Sequence, residues 1–242
     1  MSETIKKETT HEKENGKARL LESAISLFAK KGYEGVSITG IAKDAGVSHQ
    51  LIQHYFNTGK RGLYIEAYLI AITQVMSLYI QDMPPIPDPS DPDARMIAVE
   101  GIVTFIRNIA KAAAADTDAQ KRDVVALVYR ETLEPSPDLR EDIMRLVWLP
   151  TQRIRAFLKI LLPEISFLSL ALMTTAITGP LYHERVISGI QRILRDGMRI
   201  PTEKKSAFFI AYTLRFLGID KEMPADHPYS RDNLDKVLFS LT

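Results

Sequence analysis

A short polar run, from His49 to Tyr55, has the residue types and spacing of a surface that reads DNA bases. On a helix at about 100° per residue, its polar side chains share one face: His49, Gln50, Gln53 and His54. The apolar side chains take the opposite face and can pack on neighbouring helices: Val47, Leu51, Ile52, Tyr55 and Phe56. Glutamine can bond adenine N6 and N7, and histidine can donate to guanine or to a phosphate. The run therefore indicates a helix for the major groove, and an ordinary surface helix is the alternative.

Two preceding helices must position this run. Apolar residues at helical spacing predict a first helix over 18–31, and a glycine follows where the helix would stop. Ser37 is expected to N-cap a second helix that ends at Asp44. Gly46 supplies a turn residue that tolerates positive φ, and Ser48 is expected to N-cap the third helix. Two short helices with a glycine turn between them predict a helix-turn-helix.

A helix-turn-helix places its second helix in the major groove while its first helix crosses the backbone. Ser37 and Thr39 are then expected near phosphates, and Lys60 is expected to neutralise one. For Arg61 a solvated helix start is an equal alternative. The predicted DNA-binding residues are Ser37, Thr39, Ser48, His49, Gln50, Gln53, His54, Tyr55 and Lys60.

The run from Ala18 to Leu63, with LFAKKGYEGVSITGIAKDAGVS and the later HYF, closely resembles the N-terminal DNA-binding domain of TetR-family transcriptional regulators. The resemblance implies a homodimer, an all-helical C-terminal regulatory domain, and repression that a small ligand relieves. Its expected partners are a double-stranded DNA operator, an unknown small-molecule effector and a second copy of the chain.

The sequence departs from the family pattern at several positions. Thr39 stands where a basic residue is common, and Gly40 replaces the usual acidic residue, so a reciprocal capping box is not expected. Gln50 and Gln53 occupy positions often taken by a small residue and by a tyrosine that contacts phosphate. Gly59 is an extra residue before the aligned lysine. Base preference therefore cannot be transferred from relatives.

The remainder of the chain is predicted to be helical. A long helix is expected over 60–81, and the proline-rich and aspartate-rich segment 82–93 is expected to form a surface loop. Further helices are expected over 94–115, 118–134, 138–162, 164–179, 181–196 and 203–217. The predicted fold is all-α, with a disordered tail over 1–16, a helix-turn-helix domain over 17–64, and a helical regulatory and dimerisation domain over 65–242.

Two sets of residues in the larger domain are predicted to bind partners. Polar and aromatic side chains that could line an effector pocket are Arg107, Tyr129, Glu131, Trp148, Thr151 and His183. Apolar stripes that could form the dimer interface are Leu168, Leu172, Ala176, Phe208, Tyr212 and Phe216. The alternative for the pocket residues is an ordinary role in the core or on the surface. The alternative for the apolar stripes is that they close the core of the monomer.

Composition excludes several classes of protein. The 242 residues are 45% hydrophobic and 25% charged, which is typical of a globular chain. The absence of cysteine excludes disulfides and thiolate metal sites and fits a cytoplasmic protein. No secretory signal and no membrane span are expected, because the N-terminus alternates Lys with Glu and the longest charge-free stretch, 165–182, is too polar for lipid. No cofactor or metal is predicted.

Two other classes of function remain as alternatives. A helical enzyme could use Glu131, Glu184 and His183, but no HExxH, GxSxG, GxGxxG or P-loop pattern is present, and the chain is predicted not to be an enzyme. A helical adaptor that binds protein draws support from the weak basic excess of residues 1–64, which hold ten Lys and Arg against seven Asp and Glu. Phosphate contacts dominate nonspecific DNA affinity, so a net charge of +3 is low for a DNA-binding domain.

Overall fold

A computed structural model of the chain describes residues 2–113, 118–133, 135–186 and 201–239, without the side chains of 2–14, 113, 133 and 180–186. Within these residues the secondary structure is helical and contains no strand. The helices are α1 (Ser2–Lys31), α2 (Ile38–Asp44), α3 (His49–Tyr55), α4 (Lys60–Ile80), α5 (Ala94–Ala113), α6 (Ala119–Leu133), α7 (Arg140–Leu161), α8 (Phe167–Val186), α9 (Thr202–Phe216) and α10 (Arg231–Phe239). Single 3₁₀ turns lie at Pro137–Leu139 and Ile219–Lys221. The predicted all-α class is confirmed.

The chain divides into two compact units, one comprising Met1–Ser77 with Ala115–Val147 and the other Leu78–Ala114 with Trp148–Thr242. The first unit takes in residues beyond the predicted domain of 17–64. The predicted boundary between a DNA-binding domain over 17–64 and a regulatory domain over 65–242 stays a prediction.

Helix α1 is the centre of the first unit, where it packs on α2, α3 and α6. The fully buried side chains of this unit recur at helical spacing and include Leu20, Ala24, Phe28, Ile41, Ile52, Leu63, Ala67 and Leu127. Polar contacts accompany this packing: the Ser26 hydroxyl donates to Asp123 Oδ2 at 2.7 Å, and Lys30 Nζ lies 3.1 Å from the same oxygen. Helix α6 is thus joined to α1 by both apolar and charged contacts.

Helix α5 is the centre of the second unit, where it packs on α8 and α9. Its buried residues include Ala98, Ile102, Val103, Ile106 and Ile109, and they meet buried residues of the other helices such as Phe157, Leu170, Ile210 and Leu214. Gly101 permits a close approach of α5 to α7, because a Cβ atom at that position would overlap the ring of Phe157. The second unit therefore has its own close-packed apolar core.

Two sequence predictions are wrong in detail, and one helix was not predicted. Helix α1 begins at Ser2, so the backbone of 2–16 is helical instead of a disordered tail, in keeping with the good helix propensity of Lys and Glu. Helix α8 continues through Gly179 and Pro180, since an internal proline removes only one helical hydrogen bond. Helix α10 was not predicted, because nine residues offer too few turns for a clear periodic pattern. The predicted helix over 181–196 lies outside the described residues from 187 onward.

Helix α4 has the length and the apolar composition of a membrane span, and half of its apolar window is buried inside the protein. Its fully buried residues are Leu63, Ala67, Tyr68, Ala71 and Val75, with Ile72 and Tyr79 almost as inaccessible. This burial explains why α4 is apolar: it is a core helix of the protein.

Candidate DNA-binding surface

Helix α2 begins at an N-cap that the sequence predicted. The Ser37 hydroxyl accepts a hydrogen bond from the Gly40 backbone N–H at 3.0 Å, which satisfies one of the free donors of the first turn. Gly40 has no side chain to return the contact, so only this half of the capping box forms. Ser37 and Thr39 are both exposed at this helix start, where the backbone N–H groups favour an anion.

The turn between α2 and α3 depends on a glycine in the left-handed region. Gly46 has a φ of +63°, and the N–H of Val47 donates to the carbonyl of Ala42 at 3.0 Å. A second interaction fixes α2 against α1, because the Ser23 hydroxyl donates to Asp44 Oδ2 at 2.7 Å. The angle between the two short helices is thus set by buried and partly buried contacts.

Helix α3 separates its polar and apolar residues as predicted. The side chains of His49, Gln50, Gln53 and His54 are all exposed. On the other side Ile52 is fully buried and Phe56 is 3% exposed, and Val47, Leu51 and Tyr55 are half-buried. The rings of His54 and Tyr55 are in edge contact, with centroids 5.1 Å apart. This exposed face contains no Lys, Arg, Asp or Glu side chain. It is rich in hydrogen-bond donors and acceptors, as base recognition requires.

Ser48 stands at the N-cap of α3, but its hydroxyl makes no capping hydrogen bond. The predicted position is confirmed and the predicted capping bond is not. Because Ser48 is exposed at a helix start, its hydroxyl is available to an external acceptor such as a phosphate oxygen.

Lys60 and Arg61 at the start of α4 have different environments. Gly59 precedes them with a φ of +60°, and its N–H donates to the Phe56 carbonyl at 2.8 Å, so the extra residue is absorbed in a tight turn. Arg61 donates to both carboxylate oxygens of Asp138, with Nε 2.8 Å from Oδ2. This hydrogen bonding holds the pKa of the Asp138 carboxyl below its ordinary value. Lys60 makes no ion pair among the described residues, and its Nζ lies 4.2 Å from the centre of the Tyr33 ring.

A buried polar contact supports the start of α4 from within the first unit. The Tyr64 hydroxyl donates to Glu131 Oε2, and the Ser136 backbone N–H donates to Glu131 Oε1 at 2.6 Å. Burial, followed by the hydrogen bond to Glu131, raises the pKa of the Tyr64 phenol well above its ordinary value. Glu131 is only 5% exposed, so both of its oxygens are engaged inside the protein.

The residues predicted to line an effector pocket do not all fall in one unit. Tyr129 and Glu131 belong to the first unit, whereas Arg107, Trp148 and Thr151 belong to the second. Arg107 donates to Glu100 at 3.0 Å and to the Tyr229 hydroxyl at 3.2 Å. Thr151 is half-buried, and Trp148 is 62% exposed. The sixth residue, His183, lies in the part of α8 whose side chains are outside the described residues.

The residues predicted for the dimer interface are accessible in the single chain. Leu168 is 68% exposed, Leu172 63% and Phe216 51%, and Ala176 and Tyr212 are also exposed. Phe208 is half-buried. On each helix the three residues are four apart and form one stripe, and the rings of Tyr212 and Phe216 are stacked with an interplanar angle of 9°.

Two residues that contact the cations at the start of α4 were not identified from the sequence. Tyr33 was noted only as part of a family motif, and Asp138 lies 77 residues from the arginine that it binds. Local periodicity carries no signal for either contact. Only the fold brings these residues to the start of α4.

Comparison with known proteins agrees with this geometry. Residues 20–67 match the family model of bacterial regulatory proteins of the tetR family. The HTH-type transcriptional regulator YxaF of Bacillus subtilis strain 168 is 30% identical over 131 residues, which are 54% of this chain and 63% of that protein. The match thus spans less than two thirds of the relative's own length.

Solved structures share the fold. The TetR-family regulator PfmR of Thermus thermophilus superposes with a TM-score of 0.56 at 20% identity, covering 81% of this chain and 97% of PfmR. The fatty acid degradation regulator FadR of Bacillus halodurans gives a TM-score of 0.57 at 18% identity, covering 84% and 94%.

The family and these relatives are transcriptional regulators and not enzymes, in agreement with the sequence prediction. The matched residues cover the later part of α1, all of α2 and all of α3, and α3 carries the exposed polar face. Residues 20–67 are therefore similar to the DNA-binding domain of tetR-family regulators, and the helical fold of the described residues is similar to that of solved TetR-family structures.

Proposed function

We propose that the protein is a cytoplasmic repressor that binds a palindromic DNA operator as a homodimer and is released by a small molecule. The observation that carries the DNA-binding part is the exposed polar face of α3, opposite the buried Ile52 and Phe56. In this arrangement His49, Gln50 and Gln53 face the base edges. Ser37, Thr39 and Lys60 lie at helix starts, where contacts to phosphate set the register on the duplex.

The homodimer is supported by the stripes on α8 and α9. Large apolar side chains that are half or more exposed mark protein interfaces when they are contiguous. Both helices also pack on α5, so their outward faces belong to one unit. A twofold dimer through these stripes presents two α3 helices to half-sites about 34 Å apart, or a multiple of that spacing.

The effector is proposed to contact the second unit through Arg107, Trp148, Thr151 and His183. Trp148 is the single tryptophan of the chain and is exposed, so its fluorescence reports on binding nearby. Release of DNA then requires that the effector binds the DNA-free state more tightly than the DNA-bound state. The factor by which operator affinity falls cannot exceed the ratio of the effector's affinities for these two states.

The test is a selection of bound duplexes from a random DNA library at physiological salt, followed by sequencing. We expect an enriched palindrome whose half-sites lie on one face of the duplex. If folded dimeric protein enriches no motif, the DNA-binding proposal is wrong, and the adaptor alternative gains support. Compounds that change Trp148 fluorescence are then titrated against the selected operator. A compound that binds tightly without changing operator affinity would contradict the proposed release.

A further inference from the structure

The start of α4 carries two cations whose surroundings differ. Arg61 is held by both carboxylate oxygens of Asp138, and its guanidinium carbon lies 5.4 Å from the centre of the Tyr33 ring. Lys60 has no carboxylate partner among the described residues, and its ammonium group lies over the face of Tyr33 at 4.2 Å from the ring centre. That distance is well inside the range of a cation–π interaction.

Tyr33 is itself held firmly in place. Its ring stacks on Phe28 with centroids 6.0 Å apart and an interplanar angle of 22°, and it meets the edge of Tyr64 at 5.1 Å. Phe28 is fully buried, and Tyr64 is anchored by its hydrogen bond to Glu131. The lysine therefore rests on a ring whose orientation is fixed by the core of the first unit.

We propose that Tyr33 is a positioning residue for the phosphate contact of Lys60. A lysine side chain loses much rotamer freedom when it is ordered on binding. Contact with the ring orders the side chain before DNA arrives, and the ammonium group keeps an open side toward solvent because Lys60 is only half-buried. This inference rests on the proposed DNA-binding function.

The test is a double-mutant cycle with the selected operator, read by fluorescence anisotropy over a series of salt concentrations. Lys60→Gln is expected to reduce the slope of the logarithm of the binding constant against the logarithm of the salt concentration by about one per protomer. Tyr33→Leu is expected to weaken binding about two- to fivefold per protomer and to reduce the salt dependence as well. Tyr33→Phe keeps the ring and should bind as the wild type does.

The decisive comparison is Tyr33→Leu in the Lys60→Gln background. If Tyr33 acts through Lys60, Tyr33→Leu causes no further loss of operator affinity in the Lys60→Gln background. An equal loss in both backgrounds, with an unchanged salt dependence, would show a structural role only and overturn the proposal. Thermal melts establish that each variant is folded.

NMR of the wild-type protein supplies a second test that needs neither DNA nor a folded Tyr33→Leu variant. The ε-methylene protons of Lys60, assigned with Lys60→Arg, should lie upfield of those of the other lysines because of the ring current of Tyr33. Unshifted protons would contradict the contact. If the wild type binds no duplex, the proposed function fails, and the NMR result still decides whether Tyr33 holds Lys60.

Discussion

The exposed face of α3 and the stripes on α8 and α9 are both accessible to partners, yet their chemistry is opposite. On α3 the accessible side chains are His49, Gln50, Gln53 and His54. In the stripes on α8 and α9 the accessible side chains are chiefly leucine and aromatic residues. Polar groups with directional hydrogen bonds suit base edges, whereas large apolar side chains suit a surface that excludes water. This contrast is the reason for proposing DNA as the partner of the α3 face and a second copy of the chain as the partner of the stripes on α8 and α9.

The largest expected effect comes from a charge on an apolar stripe. Leu172→Glu would place two unpaired carboxylates in each dimer, because a twofold interface contains every residue twice. We expect the dissociation constant of the dimer to rise at least about a hundredfold, which is equivalent to roughly 2.7 kcal/mol. Sedimentation analysis measures this change. Ile86→Glu is the matched control, since Ile86 is 48% exposed in the proline-rich loop and should leave the dimer intact. An intact Leu172→Glu dimer would remove α8 from the interface.

A smaller effect is expected on the polar face. Gln53→Ala should cost about 1–3 kcal/mol on the preferred site if Gln53 contacts a base. On unrelated DNA its effect should be slight. Anisotropy titrations with both duplexes measure the difference, and Thr39→Ala is the companion variant, expected to weaken both duplexes alike. Equal losses for Gln53→Ala on the two duplexes would reassign it to a phosphate.

The buried contact that supports the start of α4 can be tested apart from both surfaces. Tyr64→Phe removes the hydroxyl that donates to Glu131 and leaves a buried acceptor less satisfied, which we expect to cost about 1–3 kcal/mol of unfolding free energy. Denaturant titration near neutral pH measures this loss. An unchanged unfolding free energy would show that the contact does not stabilise the fold.

The same residue predicts a dependence on alkaline pH. The pKa of Tyr64 is raised in the folded protein above the ordinary value of 10.0, first by burial and then by Glu131. The unfolded chain therefore releases this proton first, so the stabilisation is complete below about pH 10 and is lost as the pH rises further. We expect Tyr64→Phe to lose stability less steeply between pH 9 and pH 11. Equal slopes for wild type and variant would contradict the assignment.

The smallest effect is expected at Arg61. Its ion pair with Asp138 is partly exposed, with the Asp138 side chain 46% accessible, and such pairs contribute about 0–1 kcal/mol. Asp138→Asn should therefore change the unfolding free energy by less than about 1 kcal/mol and leave the salt dependence of DNA binding unchanged. A loss of salt dependence as large as that of Lys60→Gln would mean that Arg61 also depends on Asp138 to meet phosphate.

The sequence predicted the polar face of α3 because its evidence is local. Helical spacing alone separates Gln53 from Ile52, and the capping serine and turn glycine stand next to the helices that they delimit. The exposure of Leu172 and Phe216 agrees with the predicted stripes for the same reason.

Contacts between distant segments could not be predicted in this way. The pairing of Glu131 with Tyr64 joins residues 67 apart, and it engages inside the first unit a carboxylate that was predicted to line a pocket. The cation–π contact of Lys60 with Tyr33 joins the turn after α1 to the start of α4. Neither pair follows from periodicity, because the packing of α1 with α4 and α6 must be known first.

The most direct test of the whole account compares a full palindrome with a single half-site for the wild type and for Leu172→Glu. If the apolar stripes hold two polar faces together, the wild type binds the full site at least about a hundredfold more tightly than the half-site. The folded variant then binds both duplexes equally, with the affinity of a half-site. A monomeric Leu172→Glu protein that binds the palindrome as tightly as the wild type would contradict the division of roles between the two faces.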